Sequence, residues 1–184
     1  MSLSWLPNFI SIMRIVLVAP ILMYIQTEHY GLALTLVLVA GISDVVDGYL
    51  AKAFNWQTRL GELLDPFADK LLVGMIFITL AINGFAPLWL AALVILRDIV
   101  IIGGTIVYNF LLPTRVSKLN TTLQVVFIIF VLSQTGFGWP GQIVITLIGA
   151  CMTVTLVVSG VDYVASWLRC AREKRLQLTT AGVK

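Results

Sequence analysis

Charge is the scarcest commodity in this 184-residue chain: only 11% of residues are Asp, Glu, Lys or Arg, while 59% are hydrophobic, for a mean hydropathy of +0.99. A soluble domain carries about a quarter charged residues, so a water-soluble globule is excluded, and the low polarity excludes a disordered chain as well. There is one histidine, His29, which reads as a solvated interfacial residue. The two cysteines, Cys151 and Cys170, are too few and too badly spaced for a zinc site and read as small apolar side chains. The first apolar run lacks a basic segment before it, contains Arg14 and is followed by no small-residue cleavage site, so it is expected as a span and not as a cleaved signal. Alternating short segments of barrel type are absent too.

What remains is a succession of long apolar runs, expected at residues 9–26, 32–53, 61–82, 88–112, 119–133 and 143–168. With about 20 residues needed per span, the expected fold is an all-α integral membrane protein of six transmembrane helices. The connections after the first, third and fifth runs hold no Lys or Arg, whereas Lys52, Arg59, Arg115 and Lys118 flank the other two connections. Arg169, Arg172, Lys174 and Arg175 follow the last run as a basic tail. The positive-inside rule then puts both termini in the cytoplasm. Trp56, Trp139 and Trp167 fall at span ends, and Trp5 would anchor a short N-terminal interfacial helix.

The acidic residues stand where a bland membrane protein would not have them. Asp44, Asp47, Asp65, Asp69, Asp98 and Asp162 lie inside or at the ends of apolar runs, and a carboxylate deep in a span costs about 2.5–3.5 kcal/mol on the insertion scale. At about 100° per residue, Asp44, Asp47, Gly48 and Ala51 share an arc of roughly 100°, and Gly61, Asp65 and Asp69 drift only about 80° along the next helix. A short polar loop makes the two helices antiparallel neighbours, so four carboxylates converge at their cytoplasmic ends. Such a cluster does not stay ionised without cations. Lys52 and Lys70 would offset part of the charge; two divalent cations would neutralise it, and hard oxygen donors suit Mg²⁺ or Mn²⁺. Small residues beside the carboxylates leave room for a flat group, as a phosphoryl-transfer site on a nucleotide diphosphate requires. The competing structural reading, Asp–Lys bridges packing two helices, explains one Asp pair more easily than four.

The stretch Asp44-Val-Val-Asp47-Gly48-Tyr-Leu-Ala51-Lys52, followed after eight residues by Gly61 and then by Asp65 and Asp69 at intervals of four, resembles the signature of the CDP-alcohol phosphatidyltransferase family, D-x-x-D-G-x-x-A-R-x8-G-x-x-x-D-x-x-x-D. Seven of its eight fixed positions agree; Lys52 stands in place of the family's Arg, a point charge where a planar fork is usual. The length and six-span layout fit the family, so the resemblance covers residues 1–184 as a single membrane domain.

The resemblance implies a mechanism and its residues. Asp44, Asp47 and Asp65 would ligate two Mg²⁺ or Mn²⁺ ions, with Asp69 as fourth ligand or near neighbour and as the catalytic base. Gly48, Ala51, Lys52 and Gly61 would line the CDP pocket. Pro7-Asn8 and Arg14 resemble the family's first-helix motif, which borders the nucleotide; a span-end Asn and a snorkelling Arg are the alternative reading. The reaction implied is transfer of a phosphatidyl group from CDP-diacylglycerol to a glycerol-type alcohol with release of CMP. Leu96-Arg97-Asp98 and Pro113-Thr-Arg115-Val-Ser117-Lys118-Leu-Asn120-Thr121 resemble the pattern of CDP-diacylglycerol-dependent cardiolipin synthases, with Arg97, Arg115 and Lys118 as acceptor-binding residues. The glycerophosphate-using branch commonly has Lys where Asn120 stands. One cation fewer favours phosphatidylglycerol over glycerol 3-phosphate as acceptor. Asp162 either pairs with a basic neighbour or borders the site. A homodimer, membrane lipids as partners, no nucleic acid, and a bacterial inner membrane with the site facing the cytoplasm complete the expectation. A cation-coupled transporter is the reading of another class; it would place carboxylates near the bilayer midplane on broken helices.

Overall fold

The computed structural model describes the backbone of residues 6–53, 59–108 and 115–181, and the side chains of residues 12–46, 68–101 and 116–161. Trp5, with the interfacial helix expected of it, and Trp56 lie outside the described residues. Six helices follow in order: α1 (Leu6–Gln26), α2 (Tyr30–Ala53), α3 (Arg59–Ile82), α4 (Leu88–Tyr108), α5 (Arg115–Phe137) and α6 (Gln142–Ala181). The described fold is all-helical, as expected. Among the described residues, two stretches, Val116–Phe137 and Gln142–Val161, are long and apolar enough to cross a bilayer, with mean hydropathies of 1.6 and 2.2.

Two helices run well past the expected limits. α5 begins at Arg115 and runs on to Phe137, and α6 continues through the basic segment to Ala181, so Arg169, Arg172, Lys174 and Arg175 belong to a helix and not to a tail. Hydropathy marks where a helix can be buried, not where it stops. The stretch after Leu168 is rich in Leu, Arg, Glu, Lys and Gln, all good helix formers, and holds no Gly or Pro before Gly182.

The helices close into a ring. α1 packs on α2 and α3, α2 on α5, α5 on α6, α6 on α4 and α4 on α3, with α3 and α5 also touching across the middle. Ile21, Ile25, Ile76, Phe77, Leu80, Val94, Ile128, Leu132 and Met152 fill the interior. Phe77 of α3 stacks on Phe127 of α5 with ring centroids 5.4 Å apart, which fixes that central crossing. At one end of the bundle the start of α2 and the end of α5 come within backbone reach: a Cβ on Gly136 would lie 3.1 Å from the Gly31 nitrogen.

The same end carries two helix stops of one type. After α3, Phe85 N–H donates to Leu80 C=O and Gly84 N–H to Ala81 C=O, with Gly84 at φ 80°. After α1, His29 donates to Tyr24 and Glu28 to Ile25, with Glu28 at φ 61°. Both are Schellman stops, whose left-handed residue is normally glycine. Glu28→Gly is expected to stabilise the protein by about 1 kcal/mol, because a left-handed conformation costs a residue with a Cβ roughly that much. A rise in the thermal midpoint in detergent checks it; an unchanged or lower midpoint would contradict it.

Candidate active site

The charged side chains collect at the opposite end. Arg14 of α1, Asp44 of α2, Asp69 and Lys70 of α3, Arg97 and Asp98 of α4, and Lys118 of α5 all occupy the half of the bundle formed by the ends of α2 and α4 and the starts of α3 and α5. Antiparallel succession alone brings them to one level.

Asp44 and Asp69 are joined through Arg14. The Arg14 Nη1 donates to Asp69 Oδ1, and Nη2 lies 2.5 Å from Asp44 Oδ1 in an ion pair angled too poorly for a hydrogen bond. The guanidinium is 3% exposed while each carboxylate is 42% exposed. The cation therefore sits behind the carboxylates, which face open space. That space is a cavity of about 340 Å³ between α1, α2, α3 and α5, reaching from Arg14, Asp44 and Asp69 along apolar walls that include Val37, Ala40, Leu72, Ile76, Val125 and Ile128. Thr121 and Thr122 add hydroxyls on the α5 side. A charged mouth on an apolar trough suits a ligand with a polar head and a hydrocarbon body.

A second polar group lies behind the cavity. Asp98 accepts from Arg97 at 2.6 Å and from Lys70 at 3.3 Å, tying α3 to α4. The Arg97 Nη2 donates to Ser117 Oγ at 2.5 Å, to Ser117 C=O at 3.2 Å and to Ser159 Oγ at 3.4 Å, tying α4 to α5 and α6. Asn120, fully buried, accepts from Thr155 Oγ1 at 3.0 Å. Its Nδ2 and the Gln124 Nε2 are buried without a hydrogen-bond partner.

Several expectations meet this geometry. Asp44 and Asp69 do converge, but among the described residues α2 and α3 are not the directly packed neighbours expected: α1 packs on both, and its Arg14 joins the two carboxylates. Asp47, Gly48, Ala51 and Lys52 lie on α2, Gly61 and Asp65 on α3, Asn8 on α1, Arg115 at the start of α5 and Asp162 on α6, but their side chains lie outside the described residues. Lys70 turns to Asp98 and not to the Asp44–Asp69 pair. Arg97 is buried and engaged with two other helices, α5 and α6, whereas Lys118 is exposed on the first turn of α5. Asn120 faces the bundle interior and Thr121 and Thr122 the cavity. Sequence reasoning passed over Arg14 as the partner of the aspartates. The signal was present, since a cation inside an apolar run requires a buried counter-ion, but the identity of that counter-ion depends on how α1 packs.

The fold and site define an all-helical protein with carboxylates from two helices, bridged by an arginine of a third, at the mouth of an apolar cavity. Residues 4–167 match the model of the CDP-alcohol phosphatidyltransferase family, and the chain belongs to that family. It is similar to a cardiolipin synthase (CMP-forming) of Rattus norvegicus, at 29% identity over 181 residues. The Homo sapiens protein of the same name is 28% identical; each alignment covers 86% of this chain and 60% of the relative. A probable phosphatidylglycerophosphate synthase of Mycobacterium tuberculosis is 30% identical over 174 residues, 89% of this chain and 82% of that protein. The chain thus spans about 60% of the length of the rat and human relatives.

Proposed function

We propose that the chain is a six-span membrane enzyme, one domain over residues 1–184, that transfers a phosphatidyl group from CDP-diacylglycerol to phosphatidylglycerol, releasing CMP. The observation that carries the reading is the convergence of Asp44 and Asp69, two signature carboxylates from helices that flank α1, at the charged mouth of the apolar cavity. A bilayer setting is supported by the outward faces: Ile42 is 64% exposed, Val45 71% and Leu147 61%, too much apolar surface for water. Outward hydroxyls return to the helix, as Thr35 to Gly31 C=O and Thr146 to Gln142 C=O, which satisfies them where no water is at hand. The basic residues at the end of α2, the start of α5 and the C-terminal part of α6 then face the cytoplasm, with both termini and the site. In a bacterium this is the inner membrane.

The donor set fits a hard divalent cation: two carboxylates from separate helices, each partly open to the cavity. Among the described residues no third acidic, His or Cys side chain joins them; Asp47 and Asp65, the other two of the signature, would complete the set for two Mg²⁺ or Mn²⁺ ions. Bound there, the cations would neutralise charge on the diphosphate and on the attacking and leaving oxygens. The protein's own part is to hold the CDP head against Gly48, Ala51, Lys52, Gly61 and Asn8, and to lay hydrocarbon along the α2–α3–α5 trough. Asp69 accepts the proton of the acceptor hydroxyl as that oxygen bonds to the lipid-side phosphorus. The phosphorus–oxygen bond to CMP breaks. Arg115 and Lys118, at the start of α5, would hold the acceptor phosphate. Arg97, already engaged, would help only by leaving Ser117 or Ser159.

Glycerol 3-phosphate is the competing acceptor. The names of the rat and human relatives favour cardiolipin synthesis and the mycobacterial one favours phosphatidylglycerophosphate synthesis. Protein reconstituted with CDP-diacylglycerol and Mg²⁺ or Mn²⁺ is expected to release CMP and form cardiolipin when given phosphatidylglycerol, and to do neither with serine or inositol phosphate. Phosphatidylglycerophosphate formed from glycerol 3-phosphate would keep the reaction class and change the acceptor. No CMP with any acceptor would end the enzyme reading in favour of a transporter. A homodimer is part of the proposal and is read from the mass of the reconstituted protein.

A further inference from the structure

Arg14 has no role in the transfer just described, yet it is the most deeply buried cation among the described residues. Its guanidinium is almost fully buried, touches one carboxylate on α2 and one on α3, and leaves its Nε without a hydrogen-bond partner. A buried guanidinium cannot lose its proton, so its charge must be matched by those two aspartates. The same two oxygens, Asp44 Oδ1 and Asp69 Oδ1, belong to the carboxylates a divalent cation would need. Lys70, the other cation beside Asp69 in sequence, is drawn off by Asp98.

We propose that Arg14 is the built-in counter-ion of the Asp44–Asp69 pair, a positioning residue that holds the two carboxylates together across α2 and α3 while no divalent cation is bound and that opposes the cation's binding. This rests on reading Asp44 and Asp69 as cation ligands. Two consequences of opposite sign follow. Without a cation, loss of Arg14 removes the positive charge that touches both carboxylates, and the packing of α1 against α2 and α3 loosens. With a cation, loss of Arg14 removes a fixed positive charge at contact distance from the ligands, and the cation binds more tightly. A side chain needed only for packing would lower stability equally in both conditions and leave cation affinity alone.

The test uses the full chain in lipid nanodiscs, with the thermal midpoint measured with and without Mn²⁺, and free Mn²⁺ followed by electron paramagnetic resonance. Arg14→Gln is expected to melt lower than wild type without Mn²⁺, to gain more from added Mn²⁺, and to bind Mn²⁺ about tenfold more tightly, within the usual range of coupling between two sites. Arg14→Lys keeps the charge and is expected to bind Mn²⁺ as wild type does. Wild-type or weaker Mn²⁺ affinity in Arg14→Gln would overturn the counter-ion role while leaving the cation reading of the aspartates intact. Absence of Mn²⁺ binding in wild type would overturn that reading and this inference with it. If Arg14→Gln does not survive purification without cation, purification in Mn²⁺ is expected to rescue it. Failure in both conditions would make Arg14 a packing residue and overturn the proposal.

Discussion

Asp69→Asn is expected to lower CMP release by about a thousandfold while the protein still folds, because general-base assistance contributes roughly 10²–10⁴ in rate. The substitution is nearly isosteric, and the amide oxygen still accepts from the Arg14 Nη1 that Asp69 Oδ1 contacts. The neighbours of position 69 are therefore kept: Ala68 is fully buried beside it, and Leu72 and Val73 pack one turn on. What is lost is the capacity to take a proton. A carboxylate is a weak base for an alcohol. Proton transfer is thus expected late, when the attacking oxygen has already bonded to phosphorus and become acidic. Turnover of CDP-diacylglycerol is the primary measurement, and the thermal midpoint without Mn²⁺ is the control for folding, expected to stay near wild type; the gain from added Mn²⁺ is expected to shrink, because one ligand carboxylate becomes an amide. A variant that folds and retains near wild-type CMP release would remove Asp69 from the base role and leave the carboxylates as cation ligands only.

Arg97→Ala is expected to cost about 3 kcal/mol of stability, the lower end of the range for breaking a buried ion pair. Arg97 is 7% exposed and meets Asp98, Ser117 and Ser159, so one side chain closes α4 onto both α5 and α6. After its removal Asp98 retains Lys70 at 3.3 Å, which keeps the loss from the upper end. Ser117 C=O retains the Thr121 hydroxyl at 3.2 Å, but Ser159, fully buried, loses the Arg97 donor. Arg97→Lys is expected to fall between, since an ammonium cannot present the fork that reaches two helices at once. The measurement is thermal unfolding in detergent beside the acceptor KM. A sharp fall in the midpoint marks a structural clasp. A variant of wild-type stability with a raised acceptor KM would instead restore Arg97 to the acceptor site that its sequence pattern suggests.

The contrast between Arg14 and Arg97 marks where sequence stops deciding. Composition alone determined that the chain folds as apolar helices, because 59% hydrophobic residues in long runs admit little else. The intervals among Asp44, Asp47, Gly48, Gly61, Asp65 and Asp69 determined the family and the two helices that carry the signature, because a helix repeats every 3.6 residues; that α1 packs between those two helices was decided only by the tertiary structure. Helix-forming propensity past Leu168 determined the length of α6, although hydropathy hid it. Only the tertiary structure decided which cation meets which anion. Arg14 is 55 residues from Asp69, and Lys70 is adjacent to it, yet Arg14 makes the contact. The helix direction at position 70 points the lysine toward α4, while the packing of α1 against both α2 and α3 brings the arginine between them. Charge pairing in a bundle is a matter of which faces touch. Sequence periodicity specifies the face of each helix, and the packing of six helices specifies what each face meets.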